Sequence, residues 1–162
     1  MQYVQLKELV KINQGLQIPI EDRFLTKSDD SLFYITNEFL KSSGKSYYIK
    51  NSNTTVQCSK DDILMTRTGN TGQVVTDVEG VFHNNFFKVK YDERVDKNFM
   101  VQFLKYEKTQ RLILRYAGTS TIPDLNHKDF YRILFPMYDV ENQKKIGNLL
   151  STMDKMRSVV WK

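Results

Sequence analysis

Residues 61–89 read DDILMTRTGNTGQVVTDVEGVFHNNFFKV, and the periodicity inside that stretch decides the class of fold. Three apolar or β-branched runs, at 63–65, 73–76 and 81–89, are separated by Gly69, Gly72 and the turn-forming residues 77–80. Short β-type runs bounded by glycine and aspartate predict strands joined by tight turns, here a meander of three. The turns carry unusual chemistry. Arg67, Thr68, Asn70 and Thr71 put a guanidinium, two hydroxyls and an amide on one loop, and His83, Asn84 and Asn85 interrupt the third run where core residues are expected. Such groups contact base edges and phosphates. Each taken singly also suits turn stabilisation, so the cluster carries the argument rather than any one member.

The composition is compatible with one packed domain. A chain of 162 residues lies within the usual range, and 40% hydrophobic with 12% aromatic content suffices for a core. The net charge of +5 permits an anionic partner without requiring one. Cys58 is the single cysteine, which excludes an internal disulfide and a thiolate metal cluster and suits a reducing compartment. Residues 1–3 do not open a signal peptide, and no apolar run approaches the roughly 20 residues of a membrane span. The expectation is a cytoplasmic chain with no membrane partner.

Outward from the central stretch, Val4, Leu6, Leu9, Val10 and Ile12 predict a strand, a helical turn and a second strand ending at Gly15. Residues 17–31 are polar and read as a surface loop, with Arg23 and Lys27 its cations. A strand at 33–36, a turn at 37–40 and a flexible loop at 42–45 lead to the aromatic run at 46–49, where Lys45 and Tyr47 combine charge with a stacking surface. Downstream, Asp96 predicts an N-cap for a helix over 97–105, and a second helix spans 110–116 with Gly118 as its stop. Thr119, Ser120 and Thr121 then offer three consecutive hydroxyls to phosphates or to the helix end. Asn126 caps a short helix through Tyr131 that carries Lys128, and residues 132–135 form a strand stopped by Pro136.

The last element begins at Asp139, an N-cap, with Glu141 in the first turn. Ile146, Leu149, Met153, Met156 and Val160 recur at alternating spacings of three and four, the seam of a coiled coil. So short a seam needs a partner, whether the body of the domain, a second copy or another subunit. The expected division is a recognition domain over 1–138 and the start of a spacer or dimerisation helix over 139–162.

Catalytic templates fail in turn. There is no phosphate-binding GxxxxGK[ST] loop and no GxGxxG. His83 and His127 lack zinc spacing, and Cys58 has no evident histidine partner. Asp124 with Glu141 and Lys144 approximates a nuclease motif, but with one residue too many before the lysine. No catalytic residue, metal or cofactor is expected.

Four local patterns in order resemble the DNA specificity subunit of type I restriction-modification systems, as one target recognition domain. They are Val4-x-Leu6-x-x-Leu9-x-x-Ile12-x-x-Gly15; Asp62-Ile63-Leu64-Met65-x-Arg67-x-Gly69-x-x-Gly72; Gly118-Thr119-Ser120-Thr121 followed by Leu125; and Ile133-x-Phe135-Pro136 leading through Glu141-x-Gln143-Lys144-Lys145-Ile146 to Met153-Asp154. The resemblance spans nearly the whole chain. It implies a mixed α+β fold, a twisted sheet with packed helices and a terminal coiled-coil-forming helix. It also implies a non-catalytic role in choosing the duplex sequence on which methyltransferase and restriction subunits act. Two recognition domains are usual in that family, so one domain here is expected to be a fragment or a half subunit that pairs through its last helix. Under that reading Arg67 is the first candidate for a base or phosphate contact, with Thr68, Asn70 and Thr71 beside it. His83, Asn84 and Asn85 form the neighbouring part of the surface, the two asparagines suited to adenine. Lys45, Tyr47, Thr119, Ser120, Thr121 and Lys128 would position the backbone. Replacing Arg67 by Ala is expected to lower affinity far more than stability. A protein-interaction module built on the terminal helix and an RNA-binding module stacking bases on Tyr47 or Tyr48 remain the alternatives.

Overall fold

The structure, a computed structural model, describes residues 2–50 and 53–160, with the backbone alone at Val160. Its strands are β1 (Gln2–Gln5), β2 (Val10–Gln14), β3 (Leu32–Ile35), β4 (Tyr47–Ile49), β5 (Gln57–Cys58), β6 (Ile63–Thr66), β7 (Val74–Val75), β8 (Gly80–Phe82), β9 (Phe86–Tyr91) and β10 (Leu134–Met137). The helices are α1 (Lys97–Lys105), α2 (Glu107–Ala117), α3 (His127–Tyr131) and α4 (Val140–Val160). One antiparallel sheet has the order β2-β9-β6-β7, and a second has the order β4-β3-β8-β5 with β3 and β8 parallel. A two-stranded ribbon pairs β1 with β10. The fold is the expected mixture of sheet and packed helices.

The third run of the expected meander is broken in two. Its first part, β8, joins the second sheet between β3 and β5, while its second part, β9, pairs with β6 on the side away from β7. The break at residues 83–85 is where the chain crosses from one sheet to the other. There Phe86 N donates to His83 O at 3.0 Å, and Asn85 N donates to the His83 ring Nδ1 at 3.1 Å. Polar residues interrupt the apolar run because that corner belongs to neither sheet.

Strand β6 is buried on both faces, and its period of two sorts the core. Ile63 and Met65 join Phe87, Val89, Phe99, Leu104, Ile113, Phe130 and Phe135 under the helices, whereas Leu64 faces the second sheet with Ile35, Val75, Phe82 and Phe86. Full burial of each such side chain contributes roughly 1.5–3 kcal/mol, so this double-sided strand anchors both layers.

The predicted caps form. Asp96 Oδ1 accepts from Phe99 N at 2.9 Å, Asn126 Oδ1 from Asp129 N at 2.9 Å, and Asp139 Oδ1 from Asn142 N at 2.9 Å. Helix α2 starts at Glu107, three residues before the expected position. Gln110, inside it, donates from Nε2 to the carbonyl of Leu104 at 2.6 Å and of Gly72 at 2.8 Å, satisfying an orphan carbonyl at the end of α1. Strand β10 continues through Pro136, which lies opposite Tyr3. A ribbon of two strands has a free outer side, where a missing N–H is harmless.

Helix α4 lies along α1. A Cβ on Gly147 would stand 2.5 Å from Phe99 N, so only glycine permits this approach. Gln143, fully buried, donates to the carbonyls of Arg94 and Tyr138 at 2.8 Å each and accepts from Asp96 N at 3.0 Å. The apolar stripe fares differently along its length. Ile146 packs on the core, while Leu149, Met153 and Met156 are 62%, 52% and 63% exposed. The side chain of Val160, last in the expected stripe, lies outside the described residues. The body of the domain therefore covers only the start of the seam.

Candidate nucleic-acid interface

Strand direction gathers the predicted residues at one end of the two sheets. Strands β2, β3, β6 and β8 finish there, and β4, β7 and β9, antiparallel to their neighbours, begin there. Cross-links tie these ends together. Arg67 N donates to Asn85 O at 2.7 Å, His83 N to Ile35 O at 2.9 Å, and Leu16 N to Phe82 O at 3.0 Å. Asn37 Nδ2 donates to Thr68 O at 2.9 Å. The segments after β2, β3, β6 and β8 thus form one rim.

Arg67 does not project from that rim. Its Nη2 lies 2.8 and 2.9 Å from the two carboxylate oxygens of Asp124, its Nε donates to Leu125 O at 3.2 Å, and the guanidinium sits 5.4 Å from the Phe87 ring centroid. Its side chain is 15% exposed. Thr71 is buried as well, donating to Pro123 O at 2.9 Å. Thr68 donates to Asp124, and a short β-bridge joins these two residues. The expectation of a free guanidinium tip is therefore corrected: Arg67 and Thr71 strap the loop after α2 onto the loop after β6. A salt bridge bonded on both sides is favoured once the chain has brought the partners together, and the sequence gives no sign that Asp124 arrives there.

Of the other candidates, Lys45, Asn70, Thr119, Ser120, Thr121 and Lys128 are exposed, and the rest are half-buried. Asn70 is exposed and donates to Gln73 Oε1, and Thr119, Ser120 and Thr121 are exposed on the strapped loop, Ser120 donating to Ile122 O at 2.9 Å. Lys128 is exposed on α3 beside His127, whose ring packs 4.7 Å from that of Phe87. Lys45 is exposed in the loop before β4. Tyr47, half-buried, stands opposite Tyr34 in the strand register. His83, Asn84 and Asn85 are half-buried in the corner between the sheets. Burial, with the Arg23 charge adding to it, pulls the His83 imidazole down to about 4, so the ring is neutral near pH 7. Burial and the Arg67 charge lower His127 too.

Gln17, Arg23, Asn37 and Asp124 also belong to the rim, none of them among the predicted contacts. Arg23 donates from Nε and Nη2 to Ile18 O at 3.0 and 2.6 Å, with its guanidinium 5.3 Å from the Tyr34 ring centroid and 5.7 Å from that of Tyr47. The apparent nuclease motif dissolves. Asp124 is engaged by Arg67 and Thr68, while Glu141 pairs with Lys145 on α4 at 2.9 Å. Among the described residues no group of three or more His, Cys, Asp or Glu side chains could hold a metal ion. No described helix is long and apolar enough to cross a membrane.

Residues 1–158 match the family described as type I restriction modification DNA specificity domain. The chain belongs to this family. Within it, the specificity subunit of the type I restriction enzyme MjaVIII from Methanocaldococcus jannaschii is 25% identical over 124 residues, which cover 76% of this chain and 29% of that protein. The fold is shared with the type I restriction-modification S subunit from M. genitalium, at a TM-score of 0.72, 22% identity, 95% coverage of this chain and 39% of that one. It is shared too with the HsdS subunit from Thermoanaerobacter tengcongensis, at a TM-score of 0.73, 13% identity, 98% coverage of this chain and 38% of that one. This specificity domain therefore spans less than half the length of each of these relatives.

Proposed function

We propose that this chain is a non-catalytic, cytoplasmic target recognition domain that reads one part of a duplex DNA site, and so directs methyltransferase and restriction subunits to it. The observation that carries the reading is the convergence of strand ends into a single rim, which carries exposed Asn70 and the half-buried Asn84 and Asn85 on a body buried on both faces of β6. Sites on rigid elements hold their contacts to the precision that base discrimination needs. Arg67 acts here chiefly as the strap that orders the loops. Asn70, Asn84 and Asn85 face base edges, and Lys45, Tyr47, Thr119, Ser120, Thr121 and Lys128 hold the sugar-phosphate backbone. His83 shapes the corner from which the asparagines project.

Helix α4 carries the second part of the proposal. Its exposed Leu149, Met153 and Met156 form a seam for a second recognition domain or a second copy of this chain, with residues 1–138 as the recognition body and 139–162 as the start of the spacer. The same seam favours, as a second reading, a protein-interaction module whose basic charge is incidental.

Titration of labelled duplex and single-stranded DNA at several salt concentrations separates the two. Phosphate contacts make the logarithm of affinity fall linearly with the logarithm of salt, by roughly 0.9 for each phosphate neutralised on a duplex. Duplex preference with a slope of several units supports DNA reading. Salt-insensitive binding, or equal binding of the single strand, refutes it.

A further inference from the structure

The segment after β2, which leads into the polar surface loop expected over residues 17–31, is fastened across the corner between the sheets. Gly15 N donates to Phe86 O at 3.3 Å and Leu16 N to Phe82 O at 3.0 Å. A Cβ on Gly15 would stand 2.1 Å from Phe82 O, so the approach needs glycine. The buried Tyr34 hydroxyl donates to Leu16 O at 2.6 Å and accepts from Ile18 N at 3.0 Å. Arg23 closes the segment from the other side, donating Nε and Nη2 to Ile18 O while its guanidinium lies over the Tyr34 and Tyr47 rings.

The backbone on both sides of Gln17 is thus pinned, while its side chain is exposed at the rim. Gln17 Oε1 accepts from Asn84 Nδ2 at 3.2 Å. Its Nε2 has no partner among the described residues. Asn84 Oδ1 is buried with no donor. Buried acceptors are rarely left unpaired, and turning the amide about would leave its two N–H donors in the same place. A donor brought to the rim would satisfy this oxygen once the Asn84 side chain turned toward it.

Building on the DNA reading above, we propose that Gln17 and Asn84 act as a paired amide that reads an A·T base pair in the major groove, and that Arg23 is the positioning residue that holds the pair. Adenine presents an N7 acceptor beside an N6 amino donor, the pattern an amide complements with one N–H and one C=O. Gln17 Nε2 donates to N7, and the N6 amino group donates to Gln17 Oε1 or to the released Asn84 Oδ1. Guanine offers two acceptors there and would leave the amide oxygen without a donor. Cytosine offers the N4 donor alone.

The test is selection of duplexes from a pool with a randomised core by the 162-residue chain, with sequencing of the bound fraction. Wild type is expected to show A·T preference at one position that Gln17→Leu flattens by about tenfold while the other positions keep theirs. Gln17→Glu, which leaves an acceptor only, shifts that position toward C·G. Asn84→Ser weakens preference at the same position, and Arg23→Ala weakens it there with its circular dichroism spectrum retained. If wild type selects a sequence and Gln17→Leu selects the same bases at every position, the inference is overturned while the DNA reading stands. A wild type that selects nothing overturns the DNA reading and this inference with it.

Discussion

The Arg67 guanidinium and the Asp124 carboxylate, 57 residues apart, meet at 2.8 and 2.9 Å and join the loop after β6 to the loop after α2. The pair is unequal in environment, with 15% exposure on the arginine side and 50% on the aspartate side. Solvent screens the aspartate, which keeps the coupling modest. Arg67→Ala removes more than an ion pair, because it also strips the donor from Leu125 O and uncovers Phe87. The expectation from sequence, loss of affinity with little loss of stability, changes accordingly. Urea denaturation is expected to give a destabilisation of roughly 1–3 kcal/mol for Arg67→Ala. The double-mutant cycle with Asp124→Ala should show a coupling of about 1 kcal/mol. A variant as stable as wild type would show that the strap does not hold the loops.

Gln143 is the polar pin between α4 and the body. Gln143→Leu fits the volume but abandons the Arg94 and Tyr138 carbonyls and the Asp96 N–H in a buried setting. The expected cost is roughly 2–4 kcal/mol, read as a lower urea midpoint with little change of slope.

Along α4 the opposite result is expected. Met153→Glu and Leu149→Lys alter side chains that touch little of the body, so stability should change by no more than about 0.5 kcal/mol. The self-association, or capture of a second recognition domain, proposed for this helix should be lost in sedimentation velocity runs. Loss of the monomer's stability instead would place these residues in the core.

A pH dependence follows from His83. Its folded value near 4 lies below the ordinary 6.5, so between those values the unfolded chain binds more protons than the folded one. Stability is therefore full above about pH 6.5 and declines as pH falls toward 4. His83→Asn should flatten that part of the profile of urea midpoint against pH. An unchanged slope would show that the ring is solvated rather than buried.

Local chemistry was readable where neighbours in the chain determine the outcome. The caps at Asp96, Asn126 and Asp139 and the glycine after α2 rest on interactions within a few residues, and each was predicted from its own position. The strands at 63–66 and 74–75 were legible from β-branched content and glycine punctuation. The meander was not, because pairing partners are chosen by burial across the molecule. Nothing in residues 81–89 announces that its halves enter different sheets, beyond the polar interruption at 83–85.

The rim divides in the same way. Sequence by itself determined its chemical inventory, the amides, hydroxyls and cations on turns, together with a terminal helix carrying an apolar seam. Tertiary structure alone decided which of these groups are spent on the protein and which stay free. Arg67 is spent because Asp124 arrives from 57 residues away, and Gln17 is presented because Tyr34 and Arg23 pin the backbone beside it. Such commitments depend on distances closed by folding, and spacing along a chain does not encode them.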